Sequence, residues 1–140
     1  MRYLPWAFLA LVAYTFVAPL ASIVTRDVPS DVTVLISNGV LTLVALGLVV
    51  YNGQPVLKYI DPGHPKVGYV CLLGVALAVG IIAYYRALAL GPVSVVVPVF
   101  GLFIVTSSVA GIVALDEALT ARKVAGIGFA MLAVYLTSVE

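Results

Sequence analysis

Few side chains in this sequence are equipped for chemistry, and most of those lie inside long apolar runs. Ser37, Asn38 and Thr42 form one polar patch, and Thr106, Ser107 and Ser108 form another. An asparagine within an apolar helix is unfavourable unless it bonds across helices or meets water. Asn38 is therefore the leading candidate for a helix-contact or cavity residue, with helix contact the simpler reading. Serine and threonine hydroxyls can bond back to their own helix, so alone they say little. Tyr14 and Thr15 lie one turn before Pro19, and Pro98 interrupts a later run. A proline within a helix frees the carbonyl four residues earlier, here Thr15 for Pro19 and Ser94 for Pro98. In lipid that carbonyl needs a neighbouring helix, a hydroxyl or a water-filled cavity. Broken helices of this kind line transport sites, although a kink can serve packing alone. Arg86 follows Tyr84 and Tyr85 about one turn, roughly 6 Å, before its run ends. An arginine can snorkel that far to the interface, which is preferred here to substrate binding. The candidate substrate pathway is thus Tyr14, Thr15, Pro19, Asn38, Tyr84, Arg86, Pro98 and Ser107.

The chemistry that is missing narrows the function further. The sequence contains no Ser/His/Asp set, Cys/His pair or glycine-rich phosphate loop, so no catalytic residue or cofactor is expected and the chain does not read as an enzyme. His64 stands between prolines with Asp61 nearby, and one histidine with one aspartate does not make a metal site. Cys71, the single cysteine, lies in an apolar run and reads as an inert packing residue. A proton relay needs an ionisable group within the membrane, whereas Asp116, Glu117 and Glu140 lie only at segment ends. A net charge of +1 offers no basic face for nucleic acid.

The elements that must position these residues are membrane helices. Of 140 residues, 64% are hydrophobic and 9% charged, too little polar surface to cover a globule in water. Apolar stretches run over Leu4–Val24, Val32–Tyr51, Val67–Leu90, Val93–Leu115 and Val124–Val139, the last spanning, over about 121–139, only if its helix begins near Thr120 or Ala121. About 20 residues cross the roughly 30 Å hydrocarbon layer. Continuous apolar runs, rather than ten-residue alternation, exclude a β-barrel. The apolar start, Met1 to Trp6, reads as the opening of the first span, not as a signal peptide. The breaks carry helix-ending chemistry: Ser30 or Asp31 can cap the second helix, Asn52-Gly53-Gln54-Pro55 and Asp61-Pro62-Gly63-His64-Pro65 bracket the longest loop, and Gly91-Pro92 makes the tightest turn. Tyr3, Trp6, Tyr51 and Tyr135 read as interface anchors. Small residues recur four apart at Ala76 and Gly80, Ala83, Ala87 and Gly91, Ser107 and Gly111, and Gly126 and Ala130, strips that allow close helix contact. One face receives Arg2, Lys58, Lys66, Arg122 and Lys123, and the other Arg26 and Arg86. That asymmetry puts the N-terminus in the cytoplasm and the C-terminus outside, in a multi-pass protein of the cell membrane. The expected fold is an all-α integral membrane bundle of five transmembrane helices, one domain over residues 1–140.

The stretch Tyr84-Tyr85-Arg86-Ala87-Leu88, then Gly91-Pro92-Val93-Ser94, Val97-Pro98-Val99, Leu115-Asp116-Glu117-Ala118-Leu119-Thr120 and Val124-Ala125-Gly126-Ile127-Gly128 resembles the second half of an EamA domain. That domain is the repeat unit of the drug/metabolite transporter superfamily. The resemblance covers nearly the whole chain and is most specific over residues 84–128, with Pro98, Glu117 and Gly126 at motif positions. Ala13-Tyr14 replaces the Trp-Gly pair common in the family's first helix, and Asp116 replaces the usual glycine before Glu117. Full-length members resemble two such units in tandem. An odd helix number inverts the second unit and gives a ten-helix inverted-repeat fold around a midplane site. The resemblance implies a half-size transporter that moves small organic metabolites or amphiphiles across the cytoplasmic membrane. Its partner would be an antiparallel second copy or a paralogous half-transporter in the lipid bilayer. A non-transporting scaffold or accessory subunit, and a half-size flippase subunit for a lipid-linked sugar, are the alternatives. Five helices and an uncharged first span argue against the four-helix proton-coupled multidrug transporters.

Overall fold

A computed structural model describes residues 3–114 and 120–138, and every regular element within them is a helix. Arg2, Asp116, Glu117 and Glu140 lie outside the described residues. In chain order the helices are α1 (Leu4–Thr15), α2 (Val17–Val24), α3 (Ser30–Tyr51), α4 (Val56–Tyr59), α5 (Val67–Leu90), α6 (Val93–Ala114) and α7 (Ala121–Ser138). Four segments are long and apolar enough to cross a membrane: Leu4–Val24, Ser30–Tyr51, Val67–Leu90 and Val93–Val113. The expected fifth segment forms α7, 18 residues beginning at Ala121 and carrying Arg122 and Lys123 in its first turn, and it is not among these four. The chain is thus a multi-pass membrane protein with four candidate spans among the described residues.

Local chemistry explains the ends. Pro5 lies in the first turn of α1, where a missing N–H is tolerated. The first apolar segment is one run in sequence but two helices in space. Helix α1 stops at Thr15, Phe16 forms a turn, and α2 resumes at Val17. Pro19 accounts for the break, because its ring clashes with the Thr15 carbonyl and it has no N–H to offer. Pro98, by contrast, is carried within a continuous α6.

Helix α3 begins two residues earlier than its apolar run. Pro29 is its N-cap residue, with no side-chain capping bond, so the expected cap by Ser30 or Asp31 does not form and both residues lie in the first turn. At the other end Gly53 adopts φ 61°. Its N–H reaches the Val50 carbonyl at 3.1 Å, and the Gln54 N–H reaches the Val49 carbonyl at 3.1 Å. This paired 5→2 and 6→1 closure needs a left-handed residue, which glycine supplies without strain. The connection that reads as one long loop contains the four-residue helix α4. Pro92 serves as cap to α6, its carbonyl accepting from the Val95 and Val96 N–H groups at 3.1 and 3.0 Å. Thr120 caps α7: its hydroxyl accepts from the Lys123 N–H at 3.3 Å and its carbonyl from the Val124 N–H at 3.1 Å.

The chain divides into two compact units. Met1–Pro19 with Leu90–Glu140 forms one, in which α6 and α7 pack closely together. Leu20–Ala89 forms the other, holding α3, α4 and most of α5. The boundary near Pro19 falls three residues beyond the Phe16 turn. Burial is sparse. Ala18 and Val105 are buried in the first unit, and Ala21, Thr33, Tyr84, Tyr85 and Leu88 in the second. Leu, Val and Phe side chains are exposed along α1, α3 and α5, as membrane helices whose neighbours include lipid require.

Candidate functional site

Among the described residues two polar constellations stand out, one within each unit. In the Leu20–Ala89 unit the first turn of α3 meets the last turns of α5. The Arg86 guanidinium donates from Nη2 to Asp31 Oδ1 and Oδ2 at 3.1 and 3.2 Å, and from Nε to Oδ1 at 3.3 Å. This forked geometry matches a planar guanidinium to a carboxylate. Both side chains are about 60% exposed, at 59% for Arg86 and 65% for Asp31, so the pair belongs to a surface rather than a core. In water an exposed pair stabilises by about 0–1 kcal/mol. Arg86 is thus more than a snorkelling arginine: it links two helices, and Asp31, read from sequence only as a cap, is its partner.

About 9 Å further along α3, the Ser37 hydroxyl bonds to the Tyr85 hydroxyl at 3.4 Å. Tyr84 and Tyr85 are buried, and their rings meet edge to face with centroids 6.4 Å apart. Asn38 is half-buried beside Ser37, and its amide donates to the Val34 carbonyl of its own helix at 3.0 Å. The bond across helices expected of Asn38 is made by Ser37 instead. Buried Thr33 also bonds backwards, to the Pro29 carbonyl at 3.2 Å.

The second constellation lies between α6 and α7. Ser107 and Ser108 both donate to the Ile104 carbonyl, at 3.2 and 2.7 Å, as hydroxyls in apolar helices are expected to do. Helix α6 contributes Ile104, Val105, Ser107, Ser108, Gly111 and Ile112, and α7 contributes Lys123, Gly126, Ile127 and Ala130, to a cavity of about 430 Å³. The small-residue strips Ser107/Gly111 and Gly126/Ala130, read from four-residue spacing, both line it. Small side chains let the backbones approach and leave unfilled space beside them. The walls are mainly aliphatic, with two hydroxyls and one ammonium. That pattern suits an apolar body with a polar head, not bond-breaking chemistry.

The remaining expected residues are not joined to either constellation by the bonds described. Tyr14 is exposed on α1, and the Thr15 hydroxyl bonds to the Leu11 carbonyl at 2.8 Å. Pro98 is half-buried on α6, six residues before Ile104, or about 9 Å along the helix. Glu117, a motif position, lies outside the described residues. His64 and Asp61 serve their own loop: Asp61 Oδ1 accepts from the Gly63 N–H at 2.9 Å, and His64 Nδ1 from the Lys66 N–H at 3.2 Å. Among the described residues no group of three or more His, Cys, Asp or Glu could hold a metal ion.

The sequence profile of the EamA-like transporter family matches residues 1–139. The chain belongs to the EamA-like transporter family. A relative from Sinorhizobium sp, described as an uncharacterized transporter in the cobO 3′ region, is 30% identical over 124 residues. The match covers 89% of this chain and 87% of that protein, so the two are of similar, single-repeat size. No solved structure matches the chain. EamA membership accounts for the apolar helices and points to a membrane transporter of the drug/metabolite kind rather than an enzyme.

Two features escaped sequence reading. Arg86 reads as lying on the same face as Arg26, and Asp31 follows Arg26 in the same break, which is the signal that could have paired them. Lys123 entered only as a topological charge. Nothing in its spacing announced a cavity, because that depends on how α6 and α7 pack.

Proposed function

We propose that this chain is one protomer of a transporter that carries small organic metabolites or amphiphiles across the cytoplasmic membrane. The observation that carries this reading is the α6–α7 cavity. Its 430 Å³ falls in the range of small-molecule sites, roughly 300–1,000 Å³, and its aliphatic walls end in a few polar groups. In this reading α7 completes a fifth crossing, the N-terminus is cytoplasmic and the C-terminus outside. An odd number of crossings makes a protomer half of an inverted pair, so the working unit is an antiparallel dimer with a second copy or a paralogue.

Reconstitution into proteoliposomes tests this, with uptake measured for a panel of radiolabelled organic acids, amines, sugars and single-chain amphiphiles. Gly126 lines the cavity, and nothing lies within 4 Å of where a Cβ would stand. Gly126→Leu is therefore expected to fold and insert normally while reducing flux at least tenfold, the effect of losing about 1.4 kcal/mol of binding. Absence of flux for every compound, from correctly inserted protein, would leave the scaffold reading in its place.

A further inference from the structure

We propose that the α6–α7 cavity takes an anionic amphiphile, a single carboxylate or phosphate head on an aliphatic body, and that Lys123 holds the head at one end of it. The assignment rests on the transport reading and narrows its substrate class, but it is tested by binding, without any flux.

The charge of the lining comes first. Among the described residues that line the cavity, Lys123 is the one charged side chain and no carboxylate is present. The Ser107 and Ser108 hydroxyls both donate to the Ile104 carbonyl, so in this arrangement they turn acceptor oxygens, not protons, to a ligand. The ammonium is thus the lining side chain that can answer a negative head. Beside aliphatic walls its field is weakly screened, so it attracts a carboxylate and repels an amine more strongly than it would in open water.

The placement of that charge comes second. Helix α6 ends at Ala114 and α7 begins at Ala121, and two closely packed helices with so short a connection run antiparallel. Gly111 and Ile112 therefore lie toward the Lys123 end of the cavity, and Ile104 and Val105 toward Ala130. From Lys123 to Ala130 is seven residues, about 10 Å along the helix, and every α7 lining residue beyond Lys123 is glycine, alanine or isoleucine. The charge therefore stands at one end, near the start of α7, and the apolar walls run away from it toward the middle of the helix. A ligand matching that order has a charged head at the membrane boundary and a body lying in the hydrocarbon layer. The α7 dipole, positive at this end, adds to the same preference.

The test uses the full chain in phosphatidylcholine nanodiscs and radiolabelled hexanoate in equilibrium dialysis, with empty discs as the blank. Unlabelled hexanoate, hexanol and hexylamine compete, three ligands with one tail and different heads. Hexanoate is expected to bind at least tenfold more tightly than hexylamine, with hexanol between them. Lys123→Gln is expected to weaken hexanoate about tenfold, as loss of a charged partner does, and Lys123→Arg to keep parent affinity. Lys123→Glu is expected to reverse the order in favour of hexylamine. Position 123 is third after the Thr120 cap, where glutamate is favoured, so this variant keeps the test decisive if another fails to fold. A free acid and an acidic lipid carry the same head chemistry. Native mass spectrometry from discs containing phosphatidylglycerol separates them: excess phosphatidylglycerol retained by the parent and lost in Lys123→Gln assigns the head to lipid, and equal retention assigns it to a free acid. No saturable binding, equal binding of hexanoate and hexylamine, or an order unchanged in Lys123→Glu overturns the proposal. Binding that follows head charge while no panel compound is transported preserves the site and removes the transport reading. Flux indifferent to head charge and to Lys123 does the reverse.

Discussion

The Ser37 and Asn38 side chains are neighbours in sequence and do different work. Ser37 reaches Tyr85 across helices, while the Asn38 amide is returned to the Val34 carbonyl of its own helix. Cross-helix hydrogen bonds in membranes average about 0.6 kcal/mol, because the separated helices find other partners. A double-mutant cycle of Ser37→Ala and Tyr85→Phe is therefore expected to show a coupling of about 0.6 kcal/mol in unfolding from mixed micelles. The corresponding cycle of Asn38→Leu with Tyr85→Phe should show none. A coupling centred on Asn38 would restore it as the residue joining the helices.

Elements are decided by their ends and by proline. Thr120 caps α7 through the Lys123 N–H, and losing such a cap costs about 1 kcal/mol. Thr120→Ala should hasten amide hydrogen exchange in the first turn of α7 about fivefold and leave α3 unchanged; equal exchange in both would show that the cap carries no weight. The two prolines invite a comparison, since Pro19 accompanies a helix break at Phe16 and Pro98 does not interrupt α6. Near Pro19 the turn at Phe16 takes up the clash, and the chain also changes unit there. Pro98→Ala restores an N–H for the Ser94 carbonyl and is expected to impair flux more than expression. A variant that transports and expresses like the parent would reduce Pro98 to a packing detail.

At the scale of the whole molecule, the proposed antiparallel pair depends on insertion. Arg2, Lys58, Lys66, Arg122 and Lys123 against Arg26 and Arg86 favour one orientation, and reporter fusions at the two termini should report opposite sides. Termini on the same side would remove the five-crossing topology. Neutralising Lys58 and Lys66 should enlarge the inverted population, because the excess is modest. Single-cysteine variants at positions 2 and 140 are expected to cross-link head to tail between protomers. Exclusive same-end links, or flux from a reconstituted monomer, would exclude the antiparallel dimer.

The sequence by itself determined that the chain is helical and membrane-embedded, because burying backbone polar groups in lipid leaves a long apolar segment no other local solution. It also determined where most helices end, since Gly53, Pro92 and Thr120 act on backbone within a few residues of themselves. The freed carbonyl at Thr15 was legible for the same reason. Tertiary structure alone decided that Asp31 answers Arg86 rather than capping α3, and that Ser37 rather than Asn38 crosses to Tyr85. It also turned two small-residue strips and Lys123 into the lining of one cavity. Each of these joins residues from different helices, up to 55 positions apart for the Asp31–Arg86 pair. In an element apolar all round, no polar stripe marks which face a neighbour will take. Helical periodicity therefore fixes which residues share a face, and only packing selects the partner that the face meets.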